Sequence, residues 1–240
     1  MKRTIPPQIQ EALARHDLGL CLLVQSGSKA YGISVEGSDD DYVGVFVPSL
    51  EKFLSLRGFG PETHAANDPD FTLHEIGKFC RLALKGNPAI LETLWNPDLV
   101  SLSPIGEKLV GLRRSFLHRG SLDVYVEYAR SQLKKMVRGK GLHAKGGAYN
   151  GKYGAHLIRL LHSGLDLAQT GEVTVRVAPK LASTLLDIRK GKHTMEDVLS
   201  MAQPLLKKLA GLTGENSLPA RADLDRVQAL VLEARRSRGA

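Results

Sequence analysis

An α/β fold, with a small sheet followed by a helical half, is what three features of this sequence predict. Two short apolar runs lie near the N-terminus, at residues 18–24 and 42–47, each bounded by Gly, Ser or Asp. They are short, rich in Val, Leu and Phe, and closed by turn residues, so they read as buried strands. Beyond residue 120 the apolar positions recur at helical spacing through five long segments. Charge divides the chain in the same way: residues 1–120 hold 13 Lys and Arg against 14 Asp and Glu (−1), and residues 121–240 hold 20 against 11 (+9).

At 240 residues the chain is long enough for one large domain or two small ones, each with a proper core. No apolar run approaches the roughly 20 residues that a membrane span needs, and Met-Lys-Arg-Thr-Ile-Pro-Pro is followed by no apolar signal core. The expected location is cytoplasmic, with no membrane partner. Cys21 and Cys80 each sit inside an apolar segment at a spacing that fits neither a metal site nor a disulfide framework, so they are expected as buried thiols.

The elements follow in order. Residues 7–16 predict a short helix, and 18–24 the first strand. Gly27-Ser28 then turns the chain, and three consecutive acids, Asp39, Asp40 and Asp41, open the second strand. Residues 48–56 predict a helix that Ser49 could cap, and 57–67 a loop rich in Gly and Pro. Asp70-Phe-Thr-Leu-His-Glu75 enters a strand-like run, and a helix is expected over 73–85, burying Ile76, Phe79, Cys80 and Leu84. Gly86 ends it; Asn87 caps the next helix, with Pro88 in its first turn and Trp95 near its end. Residues 96–120 carry Pro97, Pro104 and the Arg113-Arg114 pair, and a domain boundary is expected near residue 118. Further helices are predicted over 122–138, 153–169, 179–189, 195–210 and 222–238. Residues 172–177 alternate as a short strand or an extended connector. Between the first two of those helices lies a basic segment with six glycines, residues 138–154, of the composition that forms loops closing over phosphates.

The chemistry concentrates between the first two strands. Alternate residues of a strand share a face, so Asp39 and Asp41 point one way and Asp40 the other. Two like charges about 4 Å apart repel by roughly 4 kcal/mol at an effective dielectric near 20, so a site that gathers them usually contains a cation. Ligands that are all oxygen suit Mg²⁺ or Mn²⁺. The Gly27-Ser28 turn supplies the complementary half: glycine lets backbone approach a ligand closely, turn N–H groups can cradle phosphate oxygens, Ser28 adds a hydroxyl and Lys29 a charge. Carboxylates and phosphate cradle together describe a metal-dependent site for a nucleoside triphosphate.

This arrangement, an apolar strand with Gly-Ser followed about ten residues later by Asp-x-Asp, resembles the signature of the DNA polymerase β nucleotidyltransferase superfamily. More narrowly, Ser26-Gly-Ser-Lys-Ala-Tyr-Gly32, Gly37-Ser-Asp-Asp-Asp-Tyr-Val-Gly-Val-Phe46, Lys85-Gly-Asn-Pro88 and Lys152-x-x-x-His156-x-x-Arg159-Leu-Leu161 resemble the bacterial and phage predicted nucleotidyltransferases associated with RNA-ligase repair operons. The resemblance runs from about residue 20 to about residue 209. It implies a polymerase-β-type catalytic domain with a small mixed sheet over residues 1–118, and a basic α-helical domain over 119–240 closing the cleft. It also implies that Asp70 joins Asp39 and Asp41 as a third metal-binding and catalytic carboxylate and takes the proton from the attacking hydroxyl. Read from the residues alone, Asp70 could instead cap the following helix, and Asp68 is a rival for its role. Where the family usually carries Arg, this chain has Lys29, which keeps the charge and loses the bidentate fork.

Lys152, His156 and Arg159 stand at i, i+4 and i+7, one face of a helix start. On the residues alone they could be a solvated basic stripe; the resemblance makes them contacts to the triphosphate or an RNA phosphate. His156 has no partner at zinc-ligand spacing. The nucleotide-binding set is therefore Gly27, Ser28, Lys29, Lys152, His156 and Arg159. The expected reaction moves a nucleoside monophosphate from a triphosphate to an acceptor hydroxyl, with two Mg²⁺ ions roughly 3.5–4 Å apart. On charge alone the basic half fits a solvated surface as well as a polyanionic partner; together with the repair-associated relatives it makes an RNA end the expected acceptor, with Lys134, Lys135, Arg138, Lys140 and Lys145 along its path. A protein or small-molecule hydroxyl is the alternative acceptor, and an RNA-binding module with a degenerate metal site is the non-enzymatic one. Glu92, the preferred base and the oligomeric state are left open by the sequence.

Overall fold

The computed structural model describes residues 4–138, 149–214 and 216–239. The first helix, α1 (Pro7–His16), starts on Pro7 and leads into β1 (Leu18–Ser26). A five-residue helix, α2 (Gly27–Tyr31), follows the Gly27-Ser28 turn at once. β2 (Asp41–Pro48) begins on the third acid, and α3 (Leu50–Leu54) leaves it. The glycine- and proline-rich stretch expected as loop holds an additional strand, β3 (Thr63–Asn67), which pairs with β4 (Asp70–Glu75). The helix expected from residue 73 begins three residues later, as α4 (Ile76–Leu84). Phe71, Leu73 and Glu75 are buried in alternation, and Glu75 caps α4 by accepting from the Lys78 N–H. α5 (Pro88–Trp95) starts as predicted, with the Asn87 side chain accepting from the N–H groups of Ala89 and Ile90.

Residues 96–120, expected only as a boundary, contain β5 (Leu99–Leu102), α6 (Pro104–Gly111) and a single 3₁₀ turn (Arg113–Phe116). The helical half then runs α7 (Ser121–Val137), α8 (Gly151–Thr170), α9 (Pro179–Arg189), α10 (Met195–Gly211) and α11 (Leu224–Arg236). Residues 172–177 form an extended connector whose Val173 and Val175 are buried.

The five strands stand in the order β3-β4-β2-β1-β5. The β2–β4 pair is parallel and the other pairs antiparallel, so the sheet is mixed. Its two faces are read from the strand alternation. Leu22, Val24, Val45 and Val47 pack into a large apolar cluster with α4, α5, α6 and the helical half, while Leu23, Phe46 and Leu73 face Ile9 of α1. The larger cluster includes Leu157, Leu160 and Leu161 of α8, which is buried around much of its circumference, as a central helix must be. It reaches as far as Ala234 of α11, so apolar packing is continuous across residue 118. Cys21 and Cys80 are buried free thiols. Among the described residues no helix is long and apolar enough to cross a membrane.

Candidate active site

The β2–β4 register places Asp41 directly opposite Asp70, the first residues of two parallel neighbours. Asp39 stands just before β2, and all three acids line one cavity of about 450 Å³. Its polar lining also includes Ser28 and Tyr31 of α2, Ser38, Lys152, His156 and Arg159 of α8, and Arg189 at the end of α9. The sheet thus supplies the carboxylates, and the start of α8 faces them. Asn150 caps α8 by accepting from the Lys152 N–H, leaving the positive end of a 20-residue helix at the cavity.

Burial pushes the Asp41 carboxyl up from its ordinary value, and the charges of Asp70, Asp39 and Asp40 push it further; Lys152 acts the other way. Like charges gathered around one cavity favour a cation there. Oxygen donors of this kind fit Mg²⁺ or Mn²⁺. Among the described residues, however, no group of three His, Cys, Asp or Glu side chains converges in metal-ligating geometry. The opposed pair Asp41 and Asp70 is the nucleus such a site would build on.

Asp40 turns away from the cavity. Its carboxylate accepts from Lys29 Nζ at 2.7 Å and from Gln25 Nε2 at 2.5 Å. Lys29 is therefore paired outside the lining rather than aimed at a ligand. Gly27 also shapes the carboxylate side of the site. Its φ is +66°, and a Cβ there would fall 1.7 Å from Asp41 Oδ2, so the glycine makes room for that carboxylate.

Arg159, expected to contact the triphosphate or an RNA phosphate, is buried with 2% of its surface accessible. Its guanidinium donates to Glu92 Oε1 at 2.6 Å and to His156 Nδ1 at 3.3 Å, and lies 3.7 Å from the centre of the Tyr31 ring. The Tyr31 hydroxyl donates to the other Glu92 oxygen at 2.8 Å. Burial alone would depress the arginine, and Glu92 overcomes it and holds Arg159 charged. Burial, followed by the charges of Arg159 and Lys135, pushes His156 down to about 3, so the imidazole is neutral at physiological pH. Of the expected basic triad, only Lys152 presents an exposed cation to the cavity.

Lys134, Lys135 and Arg138 are exposed at the end of α7, and Lys135 is close enough to act on His156. Lys140 and Lys145 lie outside the described residues.

With this geometry in view, the comparison with known proteins is direct: residues 1–233 match the RNA repair pathway DNA polymerase beta family, RlaP. The chain belongs to that family. It is also similar to a Bacillus subtilis (strain 168) relative, the uncharacterized protein YcgL, with 28% identity over 153 residues. That match covers 60% of this chain and 57% of the relative's length.

Three cavity or near-cavity residues of this RlaP-family chain escaped the sequence reading. In the sequence Tyr31 stands only as one residue of a motif, Glu92 has no evident role, and Arg189 is the last residue of a predicted helix. Arg189 reaches the cavity because Gly151 lets α8 start against α9: a Cβ on Gly151 would meet the Ile188 carbonyl at 2.4 Å. The Arg189 guanidinium donates to the Ile33 carbonyl at 2.7 Å, tying the end of α9 to the segment after α2. A buried Glu on a helix with apolar neighbours was the one sequence signal available for Glu92, since such a charge demands a partner.

Proposed function

We propose that this chain is a metal-dependent nucleotidyltransferase that moves a nucleoside monophosphate from a nucleoside triphosphate to the hydroxyl of an RNA end. Family membership supports the polymerase-β-like nucleotidyltransferase class and its setting in RNA repair. The observation that carries the reading is the opposition of Asp41 and Asp70 across parallel strands, with Asp39, Ser28 and Lys152 around the same cavity.

In this reading Asp41 and Asp70, with Asp39, hold the divalent cation, Mg²⁺ or Mn²⁺. When bound, it offsets the phosphate charge and polarises the α-phosphate. Lys152, the Ser28 hydroxyl and the N-terminus of α8 bind and orient the triphosphate. An acceptor oxygen attacks the α-phosphorus, the bond to the bridging oxygen breaks, and pyrophosphate leaves with that electron pair. Asp70, exposed at the rim, takes the hydroxyl proton. The exposed cations at the end of α7 suit an RNA strand.

The test is incubation with Mg²⁺, each α-labelled triphosphate separately, and RNA, DNA or protein acceptors. Label transferred to RNA, and lost with Asp41→Asn, supports the reading. Label on protein or on a small molecule moves the acceptor, and no transfer to any acceptor removes the activity.

A further inference from the structure

The ion pair beneath the cavity has a consequence for the ligand above it. An arginine guanidinium offers only donors and does not lose its proton in proteins. The Arg159 donor 3.3 Å from His156 Nδ1 therefore requires that nitrogen to accept. A neutral imidazole has a single N–H, which must then sit on Nε2. An imidazolium would aim a second N–H at the guanidinium, and burial beside Arg159 and Lys135 already holds the ring neutral.

Both terminal nitrogens of Arg159 are committed, and its Nε is buried without a hydrogen-bond partner among the described residues. One terminal nitrogen meets Glu92, the other His156, and its face lies on Tyr31. The pair Glu92 and Arg159 is 5% and 2% exposed at the side chain, and neither charge could stay buried without the other. Glu92 is in turn held by the Tyr31 hydroxyl, so the guanidinium is fixed by contacts from α2 and α5. Arg159 and His156 both line the cavity; the spare nitrogen of Arg159, Nε, is buried without a partner among the described residues, and His156 keeps Nε2 unclaimed by the group.

We propose that Glu92 and Arg159 form a positioning pair that holds His156 as a neutral Nε2–H donor to an oxygen of the nucleotide in the active-site cavity. The proposal rests on the nucleotidyltransferase reading for the identity of the ligand, and on the buried contacts for the tautomer. Lys152, one turn earlier on α8, supplies charge, and His156 supplies a directed hydrogen bond without charge. A phosphate oxygen and a base carbonyl are both acceptors of that kind, so the experiment separates them.

Histidine-labelled protein, examined by two-bond ¹H–¹⁵N correlation at neutral pH, reads the tautomer directly; the chain has eight histidines, and the signal missing from His156→Gln assigns the ring. The expected spectrum of the free protein shows Nε2 protonated and Nδ1 bare. An Nδ1–H tautomer or an imidazolium overturns the proposal. The double variant Glu92→Leu/Arg159→Met removes both buried charges together, so it keeps the fold where either single change leaves an unpaired charge. It should release His156 to a mixture of tautomers; a variant that stays wholly Nε2–H shows that the pair does not position the ring.

Adding Mg²⁺ with inorganic triphosphate should shift the Nε2 signal, whereas guanosine or uridine alone, each carrying a base carbonyl, should not; the reverse assigns the donor to the base. If both ligands bind and neither moves Nε2, the donor role falls while the functional reading stands. His156→Gln sets an amide N–H where Nε2–H was and should hold triphosphate affinity within a few-fold. His156→Asn sets it at Nδ1 and should lose about tenfold, the size of one hydrogen bond to a charged acceptor. Equal affinities for wild type and His156→Asn overturn the donor role. Wild-type protein that binds neither ligand removes the nucleotidyltransferase reading and the ligand half of the proposal with it, and the free-protein spectra still decide the positioning half.

Discussion

Asp41 is the residue at which stability and proposed function oppose each other. Its carboxyl is raised in the folded protein by burial and by Asp70, Asp39 and Asp40. The folded state therefore binds that proton more readily than the unfolded chain, and stability falls as pH rises from the unfolded value through the folded one. In chelator at pH 7, Asp41→Asn should unfold at a higher temperature than wild type, by about 2–4 °C for each kcal/mol recovered. The gain should vanish as the pH drops below the unfolded value, where both proteins are neutral at this position. Nucleotidyl transfer should fall to background, because an amide does not replace a metal-holding carboxylate. A melting scan over pH, paired with a labelled-triphosphate assay, checks both halves. Asp40→Asn should keep activity and change stability by no more than about 1 kcal/mol, since its pair with Lys29 is partly exposed. Gly27→Ala should lose activity through Asp41: the added Cβ falls on that carboxylate, and an L-residue at φ +66° costs about 1–2 kcal/mol. Triphosphate affinity that drops while transfer by bound nucleotide persists would return Gly27 to the phosphate cradle.

At the scale of elements, what decides the site is how the start of α8 meets β2 and β4. The Asn150 cap fixes that start, and Asn150→Ala should cost about 1 kcal/mol in thermal or denaturant unfolding and weaken triphosphate binding without altering the carboxylates. The two strands and the turn that carry Asp39, Asp41 and Ser28 were legible because a buried strand is written in a short apolar run with Gly and Asp at its ends. The partner strand β4 was legible in part, since Asp70-Phe-Thr-Leu-His-Glu75 alternates; the helical reading of Leu73 lost to that alternation once β2 paired beside it. β3 and β5 were not legible. Thr63–Asn67 contains two alanines and no large apolar residue, and Leu99–Leu102 is only four residues long. Both are edge strands held by their neighbours rather than by their own pattern. The buried state of Arg159 was hidden for a similar reason. Spacing on one helix shows which residues share a face, not that Glu92 from α5 and Tyr31 from α2 arrive to cover it.

Across the whole molecule, α11 ties the helical half back to β4 and α6. Arg235 of α11 donates to the buried Glu75 at 2.8 Å, and Lys108 pairs with Glu233. Arg235→Met leaves the Glu75 carboxylate buried without its cation and should cost about 3–5 kcal/mol in denaturant unfolding, whereas Lys108→Met, at an exposed pair, should cost no more than about 1 kcal/mol.

The division of charge, −1 in the first half and +9 in the second, is the molecular-scale feature that bears on the acceptor. Lys134, Lys135 and Arg138 place three exposed cations at the end of α7, and the charge of Lys135 is felt at His156, which lines the cavity. An RNA strand running over them into the cavity would release condensed counterions at each phosphate contact, with a salt slope of about −0.7 per contact for single strands. The variant Lys134→Gln/Lys135→Gln/Arg138→Gln should therefore bind single-stranded RNA more weakly at low salt. Its plot of log affinity against log salt should be flatter by about 2, while Mg²⁺–triphosphate binding near Lys152 changes little. Fluorescence anisotropy across a salt series measures the slope, and equal slopes for wild type and variant place the RNA path elsewhere. Wild type that binds no RNA at any salt, yet still transfers label from triphosphate, shifts the acceptor to a protein or small-molecule hydroxyl, because those acceptors offer no chain of phosphates for this basic edge to hold.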